Sequence, residues 1–465
     1  MAYKKIISVI LMLQLPVILI AQEYITVDKS QKSHTIEGWG VSLCWWAYQC
    51  GQWEEAKIDS IVDWLVSPEG LNYNIFRYNI GGGDDPQNRH CDLHHMARGK
   101  GERAEMPGFK LYPDSPYDWT ADSAQLKILR KIKERRPDAI FEAFSNSAPW
   151  YMTYSGCCGG NDNKTTDNLR TEYYKDFAQY LIDVCRHIKE CYGIEFRTLD
   201  PFNEPQTDYW YRNGSQEGCH FDISSQIEMV KILYPMLIDS KLKTVISASD
   251  ETCIGHSINS ISSYGDALRM IGQWNTHSYY GSAEEKVRLR ELADSFKIRL
   301  WQSETGDGGH GIHGNIKMLQ RLFEDMKCLR PSAWCDWQYF GEHDSQWCLI
   351  SGDHKLQQYY RTKNYYIRQQ VSRFIKPGYT IINIDYPNVL AAYSAAERRI
   401  VVVCLNIEKV QRDIVIDIKG TDTQTAEIYT TNKTQNLSPG SMKLNGGKIN
   451  VSLSPLEVKT IIADF

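Results

Sequence analysis

Two short stretches hold the residues best suited to chemistry. "LDPFNEPQ", 199–206, sets Asn203 and Glu204 at the end of an apolar run, and "WQSETG", 301–306, does the same for Glu304. A carboxylate that ends a buried strand needs a reason, because burial penalises its charged form. Two of them suit glycoside hydrolysis, in which one carboxyl protonates the leaving oxygen and the other attacks the sugar or activates water. Attack by the carboxylate retains the anomeric configuration and needs carboxyls about 5–5.5 Å apart, while inversion needs roughly 6.5–9.5 Å.

The elements that must position this pair are legible as a pattern. From about Thr35 to Phe374 eight apolar runs alternate with amphipathic stretches such as "RTEYYKDFAQYLIDVCRHIKE", whose apolar residues recur at three and four. Parallel strands need such crossovers, and eight of them predict an α/β fold, a (β/α)8 TIM barrel. An open doubly wound sheet fits less well: no Gly-rich loop follows the first run, and "IGGGDD" comes after the second. A barrel gathers its active site where the strands end. The runs end in Trp45 and Trp46; Arg77 and Asn79; Asn146 and Trp150; Asn203 and Glu204; Asp250 and Glu251; His277 and Tyr279; Glu304; and Trp337 and Tyr339.

Roles follow from residue type. The nucleophile must stay ionised, which Arg77 and Tyr279 favour if they face Glu304. Asn203 and Asn146 offer amides for sugar hydroxyls, and His277 is a candidate for substrate or carboxylate contact. Trp150 and Trp337 are the candidates to line a sugar subsite. Asp250 and Glu251 are adjacent on a strand and point to opposite faces, so they cannot flank one bond. His90, Cys91, His94 and His95 lie in a polar loop with no second ligand group, and Cys157-Cys158 lacks a C-x-x-C mate. No metal and no cofactor is therefore expected, and the vicinal cysteines read as structural or disulfide-bonded.

Composition bounds the rest. The chain has 465 residues, a net charge of −5 and no basic stripe, which gives no nucleic-acid footprint. Aromatic residues make up 12%, with 13 Trp and 28 Tyr, more than a core alone needs and suited to flat sugar faces. Residues 1–21, with Lys4 and Lys5 before an apolar run broken at Pro16, read as a signal peptide. The chain is then expected to be exported, periplasmic or extracellular, with no membrane span after removal. Thirteen cysteines leave at least one thiol unpaired, with Cys44–Cys50 and Cys185–Cys191 as possible local pairs. After residue 376 short alternating runs replace the barrel pattern. They predict an antiparallel β-sandwich over 377–465, which segment 22–34 joins, beside a barrel over 35–376.

On these residues the chain resembles clan A glycoside hydrolases, and within them family 30. "NEP" at 203–205 is similar to the clan's acid/base motif, and "SETG" at 303–306 to its nucleophile motif; "FRYNIGGG" at 76–83 and "SNSAPWYMT" at 145–153 are also family-like. The resemblance implies a retaining mechanism with Glu204 as acid/base and Glu304 as nucleophile, in a barrel with a sandwich beside it. The run "GWGVSLCWWA", 38–47, resembles the endo-β-1,6-galactanase branch and not the "GFGGAFTDS"-like start of glucosylceramidase-like members. That implies a polysaccharide or oligosaccharide substrate, β-1,6-linked galactan, cleaved in endo mode. The alternatives are a β-1,6-glucanase, a xylanase or an exo-β-glycosidase of the same family, or, from another class, a non-catalytic glycan-binding protein.

Overall fold

The structure is a computed structural model that describes residues 23–465 apart from 88, 93–94, 97–102, 104, 307–308 and 343–345. The expected signal segment and His94 lie outside the described residues. Eight parallel strands close into a barrel: β1 (Gly38–Ser42), β2 (Ile75–Asn79), β3 (Ile140–Phe144), β4 (Thr198–Asp200), β5 (Val245–Cys253), β6 (Ile271–Tyr280), β7 (Arg299–Glu304) and β8 (Ala333–Asp336). Eight helices follow them in turn: α1 (Glu55–Val66), α2 (Ser123–Arg135), α3 (Tyr174–Tyr192), α4 (Ile223–Asp239), α5 (Ile254–Ser263), α6 (Ala283–Phe296), α7 (Gly311–Glu324) and α8 (Lys363–Ser372). The predicted barrel is thus the observed one.

Local sequence explains the elements. In α3, Tyr174, Phe177, Ala178, Leu181, Cys185 and Ile188 are buried, the stripe expected of a helix lying on a sheet. The helix stops at Gly193, whose φ of 66° is the left-handed conformation that glycine adopts without a Cβ penalty. A capping box opens α6: Ser282 Oγ accepts from the Glu285 amide and Glu285 Oε2 accepts from the Ser282 amide.

The other sheets lie beside the barrel. A seven-stranded sheet spans residues 380–464 and ends on Lys32–Thr35, which pairs antiparallel with Thr380–Ile382. A three-stranded sheet packs against it, with Glu23–Val27 parallel to Arg412–Ile418 and Lys448–Leu453 on the far side. The run "RIVVVCLN" at 399–406 looks unbroken because both faces of its strand are covered. Ile400, Val402 and Cys404 face the three-stranded sheet, whereas Val401, Val403 and Leu405 join the barrel's own core. Polar links cross the same contact: Gln370 of α8 donates to Thr431 Oγ1 at 2.8 Å, and Thr460 Oγ1 donates to the Gln370 carbonyl at 2.7 Å.

Two expectations are corrected. All thirteen cysteines are free thiols, so neither local disulfide forms. Cys185 is buried and Cys191 exposed, because six residues along a helix put side chains about 240° apart. Cys44 packs with Trp45 and Trp337 above the barrel, while Cys50 lies in the barrel core. The fourth strand, moreover, ends at Asp200, so Glu204 sits in the loop beyond it, with a φ of 50°.

The shared sheet predicts joint unfolding. Val403→Asp drives an unpaired carboxylate into the barrel–sandwich contact, at an expected cost of about 3 kcal/mol or more. Calorimetry should show one transition shifted down as a whole; two separate transitions, in the parent or the variant, would mean that barrel and sandwich melt independently.

Candidate active site

The site is organised around a buried cation. Arg77, on β2, is fully buried and uses every arm of its guanidinium. Nε donates to Glu142 Oε1 on β3 at 2.8 Å, Nη2 to Asp250 on β5, and Nη1 to Glu304 Oε2 on β7 at 3.3 Å and to the Ser303 carbonyl at 3.2 Å. The Phe144 ring lies 4.3 Å from the guanidinium carbon. A charge with no water must be met by opposite charge and filled hydrogen bonds, and three carboxylates from three strands supply them.

Below this layer the barrel interior is polar. Glu142 also accepts from Thr198 Oγ1 at 2.7 Å, Ser247 Oγ at 3.1 Å, Gln273 Nε2 at 2.9 Å and Asn275 Nδ2 at 3.1 Å. Asn275 Nδ2 reaches Asp200 Oδ2 at 2.9 Å. Burial, with Asp250 and Glu142 adding, pushes the Asp200 carboxyl well above its usual range. Burial works against the charge on Asp250 too, but there Arg77 and His277 prevail and hold the carboxyl below the usual range.

Glu204 and Glu304 come together above Arg77. Glu304 Oε1 accepts from the Tyr279 hydroxyl at 3.0 Å. Glu204 Oε2 accepts from the Tyr209 hydroxyl at 2.5 Å, and its Oε1 lies 3.0 Å from His277 Nδ1. That same nitrogen is 3.5 Å from Glu304 Oε1, and His277 Nε2 is 3.2 Å from Asp250 Oδ1. One oxygen of each glutamate and the imidazole nitrogen lie within 4.8 Å of one another. The backbone of Glu204 is also fixed: its amide donates to the Asp250 carbonyl at 2.8 Å, and its own carbonyl accepts from Trp210 Nε1 and Thr207 Oγ1.

Burial pushes the Glu304 carboxyl up to about 7, with the charges of Glu204 and Asp250 adding to it and His277 and Arg77 opposing. Burial alone would discharge His277, but Glu304, Asp250 and Glu204 together raise its pKa well above the ordinary value. The charges of Glu304 and His277 thus act on each other directly.

The remaining candidates are distributed unevenly. Asn203 is buried beside Glu204, and its Oδ1 has no hydrogen-bond partner among the described residues. Trp337 packs edge-on against Trp45 at 5.1 Å, in a cluster with Phe144 and Trp347 above Arg77. Asn146 is buried, with its amide nitrogen 3.8 Å from Cys44 Sγ. Trp150 is not with them: its indole N–H donates to the Leu111 carbonyl, and its ring packs on Tyr112, Tyr151 and His90. Trp46 and Tyr339 are core residues, with Trp46 Nε1 donating to the Ser42 carbonyl and the Tyr339 hydroxyl to that of Ile61.

Asp250 and Glu251 point to opposite faces, as expected, and so do not flank one bond, but Asp250 itself belongs to the site. Its φ of 57° and a register shift between Ser249 and Glu251 turn it onto Arg77, His277 and Ser303. Glu251 faces away, toward Gln206 and Ser260. Glu142, Asp200 and Tyr209 were missed altogether. A carboxylate in the middle of the apolar strand "IFEAF" was the available signal for Glu142.

Among the described residues, three groups of side chains have donor atoms close enough to hold a metal. Glu204, His277 and Glu304 form one, and Arg77, Tyr209 and Tyr279 already bind its carboxylates. The second is Asp167, His220 and Asp222, where Asp222 is exposed; the third is Asp84, Cys91, His95 and Cys157. Along the chain Cys91 and His95 have no second ligand group beside them and Cys157-Cys158 has no C-x-x-C mate, the ground on which no metal is expected. The fold brings these loops together. Among the described residues no helix is long and apolar enough to cross a membrane.

Comparison with known proteins gives this geometry a context. Residues 22–267 match the model of "O-Glycosyl hydrolase family 30". An endo-β-1,6-galactanase from Hypocrea rufa is 30% identical over 462 residues, covering 95% of this chain and 94% of that protein. An exo-β-1,6-galactobiohydrolase from Bifidobacterium longum is 25% identical over 402 residues, 66% of this chain but 26% of that longer protein. The crystal structure of a conserved exported protein from Bacteroides fragilis superposes with a TM-score of 0.80 at 20% identity, over 95% of this chain and 100% of that one.

The Arg77 cluster makes a stability prediction. Arg77→Met strands buried carboxylates and is expected to cost about 3–5 kcal/mol. Arg77→Lys, a point charge in place of a fork, should recover only part of that. Denaturant unfolding at pH 7 reads both, and an Arg77→Met protein as stable as the parent would contradict the cluster.

Proposed function

The chain belongs to glycoside hydrolase family 30, and from that premise we propose that it is an exported, retaining endo-β-1,6-galactanase in which Glu304 is the nucleophile and Glu204 the acid/base. The observation that carries the mechanism is the close approach of the two glutamates, within 4.8 Å oxygen to oxygen. That favours the short spacing of retention over the gap that must hold a water. The observation that favours galactan is the 30% identity to the Hypocrea rufa galactanase along almost the whole chain, together with the Trp-rich run at 38–47.

The surroundings divide the roles. Glu304 takes a charged donor, Arg77 Nη1, and a hydroxyl, Tyr279; both stabilise the carboxylate that attacks the anomeric carbon. Glu204 stands on a loop with a neutral donor, Tyr209, and gives its proton to the glycosidic oxygen as the bond breaks. His277 touches both and follows the charge as it moves between them. In the second half of the reaction Glu204 takes a proton from water, which displaces the sugar from Glu304. The open side-chain oxygen of Asn203 accepts a hydrogen bond from a sugar hydroxyl, the 2-hydroxyl being the one that gains most in the transition state. Trp337 supplies an apolar wall for the sugar, whereas Trp150 braces a loop.

Glu204→Gln should lower kcat on galactan by about 10²–10⁴ and much less on an aryl glycoside, whose leaving group needs no proton. Glu304→Gln should abolish turnover of both. NMR of the first product should show the β-anomer, and an α-anomer would end the retaining reading. A panel of β-1,6-galactan, β-1,6-glucan and β-1,4-xylan tests the substrate. A ladder of galacto-oligosaccharides is expected; release of disaccharide alone would favour exo action, and cleavage of glucan or xylan but not galactan would end the galactanase reading.

The coupled site also fixes a pH response. Because Glu304 is raised to about 7, it becomes protonated and non-nucleophilic as pH falls, which sets the acid limb of kcat/KM near that value. Glu204→Gln removes a charge that raises it, so the limb of the variant, read on an aryl glycoside, should move to lower pH. A limb that stays in place would break the coupling.

A further inference from the structure

Away from the glutamates, three loops at the strand ends meet on a second cluster of reactive side chains. Asp84, Cys91 and His95 come from the loop after β2, and Cys157 from the loop after β3. His95 Nε2 lies 2.7 Å from Asp84 Oδ2 and 3.4 Å from Cys157 Sγ, and Cys91 Sγ lies 3.6 Å from Asp84 Oδ1. All four donor atoms are within 4.8 Å of one another. Cys91, His95 and Cys157 are buried, and only Asp84 is partly open. Bonds of about 2.0–2.3 Å put the corners of a zinc tetrahedron about 3.3–3.8 Å apart, so these atoms need only a small expansion to surround one ion.

What lies outside the cluster fits the same purpose. His95 Nδ1 is bonded to the Gly214 carbonyl, in the loop after β4. A carbonyl can only accept, so Nδ1 carries a proton; the Asp84 carboxylate likewise accepts from Nε2, which must give up that proton to become a ligand, while the Gly214 carbonyl keeps the ring oriented. Asp84 Oδ1 accepts from the Cys158 amide at 3.2 Å. The Cys157 amide is held by Thr153 Oγ1 and Ser155 Oγ. Two thiols, one imidazole and one carboxylate, oriented by the backbone of three loops, form a closed site and not a surface accumulation of acids.

We propose that Asp84, Cys91, His95 and Cys157 bind a structural zinc ion that pins the loops after β2, β3 and β4 to one another. Two soft thiolates with one imidazole select zinc over calcium or magnesium, which require oxygen donors. On binding, both thiols and the imidazole Nε2 release their protons to solvent, the freed Nε2 lone pair ligates, and no group is oxidised or reduced. The ion closes the link that hydrogen bonds make in part: Gly214 holds His95, and Asn213 Oδ1 accepts from the Asp92 amide at 2.6 Å. The loop that supplies Cys157 also carries Trp150, on which the His90 ring packs at 6.0 Å. The zinc thus holds a wall of the strand-end face without taking part in bond cleavage.

The test uses the mature chain, purified without a nickel column, incubated with zinc chloride and dialysed against metal-free buffer. Elemental analysis should find roughly one tightly held zinc per chain. Exchange for cobalt(II) should give a thiolate-to-cobalt charge-transfer band with tetrahedral visible absorption. Cys91→Ser and Cys157→Ser should each lose the band, and a strong chelator should lower the Tm of the parent but not of either variant. If a variant fails to fold, the cobalt spectrum of the parent decides alone. Loss of zinc on dialysis with an octahedral cobalt spectrum overturns the proposal. A Cys91–Cys157 disulfide in the non-reduced protein, found by peptide mass mapping, overturns it equally.

Discussion

A guanidinium sealed from water is the constraint on which this site rests. Arg77 has nowhere to disperse its charge except into Glu142, Asp250 and Glu304, and each of them sits on a different strand. The interaction therefore does structural and chemical service at once. It fixes the relative heights of β2, β3, β5 and β7 inside the barrel, and it delivers to Glu304 one of the donors that a buried carboxylate requires. Asp250 carries the arrangement further, because its side chain meets Arg77 and His277 while its carbonyl holds the Glu204 amide. The position of one glutamate is thus coupled to that of the other through a residue that need not touch substrate.

The barrel interior extends the same logic downward. Where barrels of this type usually stack branched aliphatic side chains, this one buries Glu142 among Thr198, Ser247, Gln273 and Asn275. Every lone pair of Glu142 is used, which is the condition for keeping a carboxylate there. Apolar packing is moved outward instead, between strands and helices and onto the seven-stranded sheet.

How much of this was legible in the sequence depended on whether a feature is periodic. Eight strand–helix repeats survive as a pattern, so the barrel could be read, and strand ends pointed to Glu204, Glu304, Arg77 and His277 because barrel geometry gathers them. Asp250 escaped because alternation says only that it and Glu251 face opposite ways, and nothing in the sequence marks Asp250 as the one that meets Arg77 and His277. Trp150, whose indole N–H is bonded to the Leu111 carbonyl, shows that an aromatic residue near a strand end has no mark in the sequence that separates a subsite wall from a loop brace. Cys91, His95 and Cys157 looked unrelated because more than sixty positions separate the two cysteines in the chain, and only loop closure makes them neighbours.

The strand at 399–406, apolar on both of its faces, has a consequence for how such a chain changes over time. The sheet that contains it is the floor of one compartment and the ceiling of another. A partition shared in this way cannot be exchanged as a cassette, since a substitution that suits one side must be tolerated two ångström-scale layers away on the other. Recombination that respects the barrel boundary in sequence would still cut through the middle of a core. Variation in specificity is thereby steered to the loops at the strand ends, which lie outside that partition.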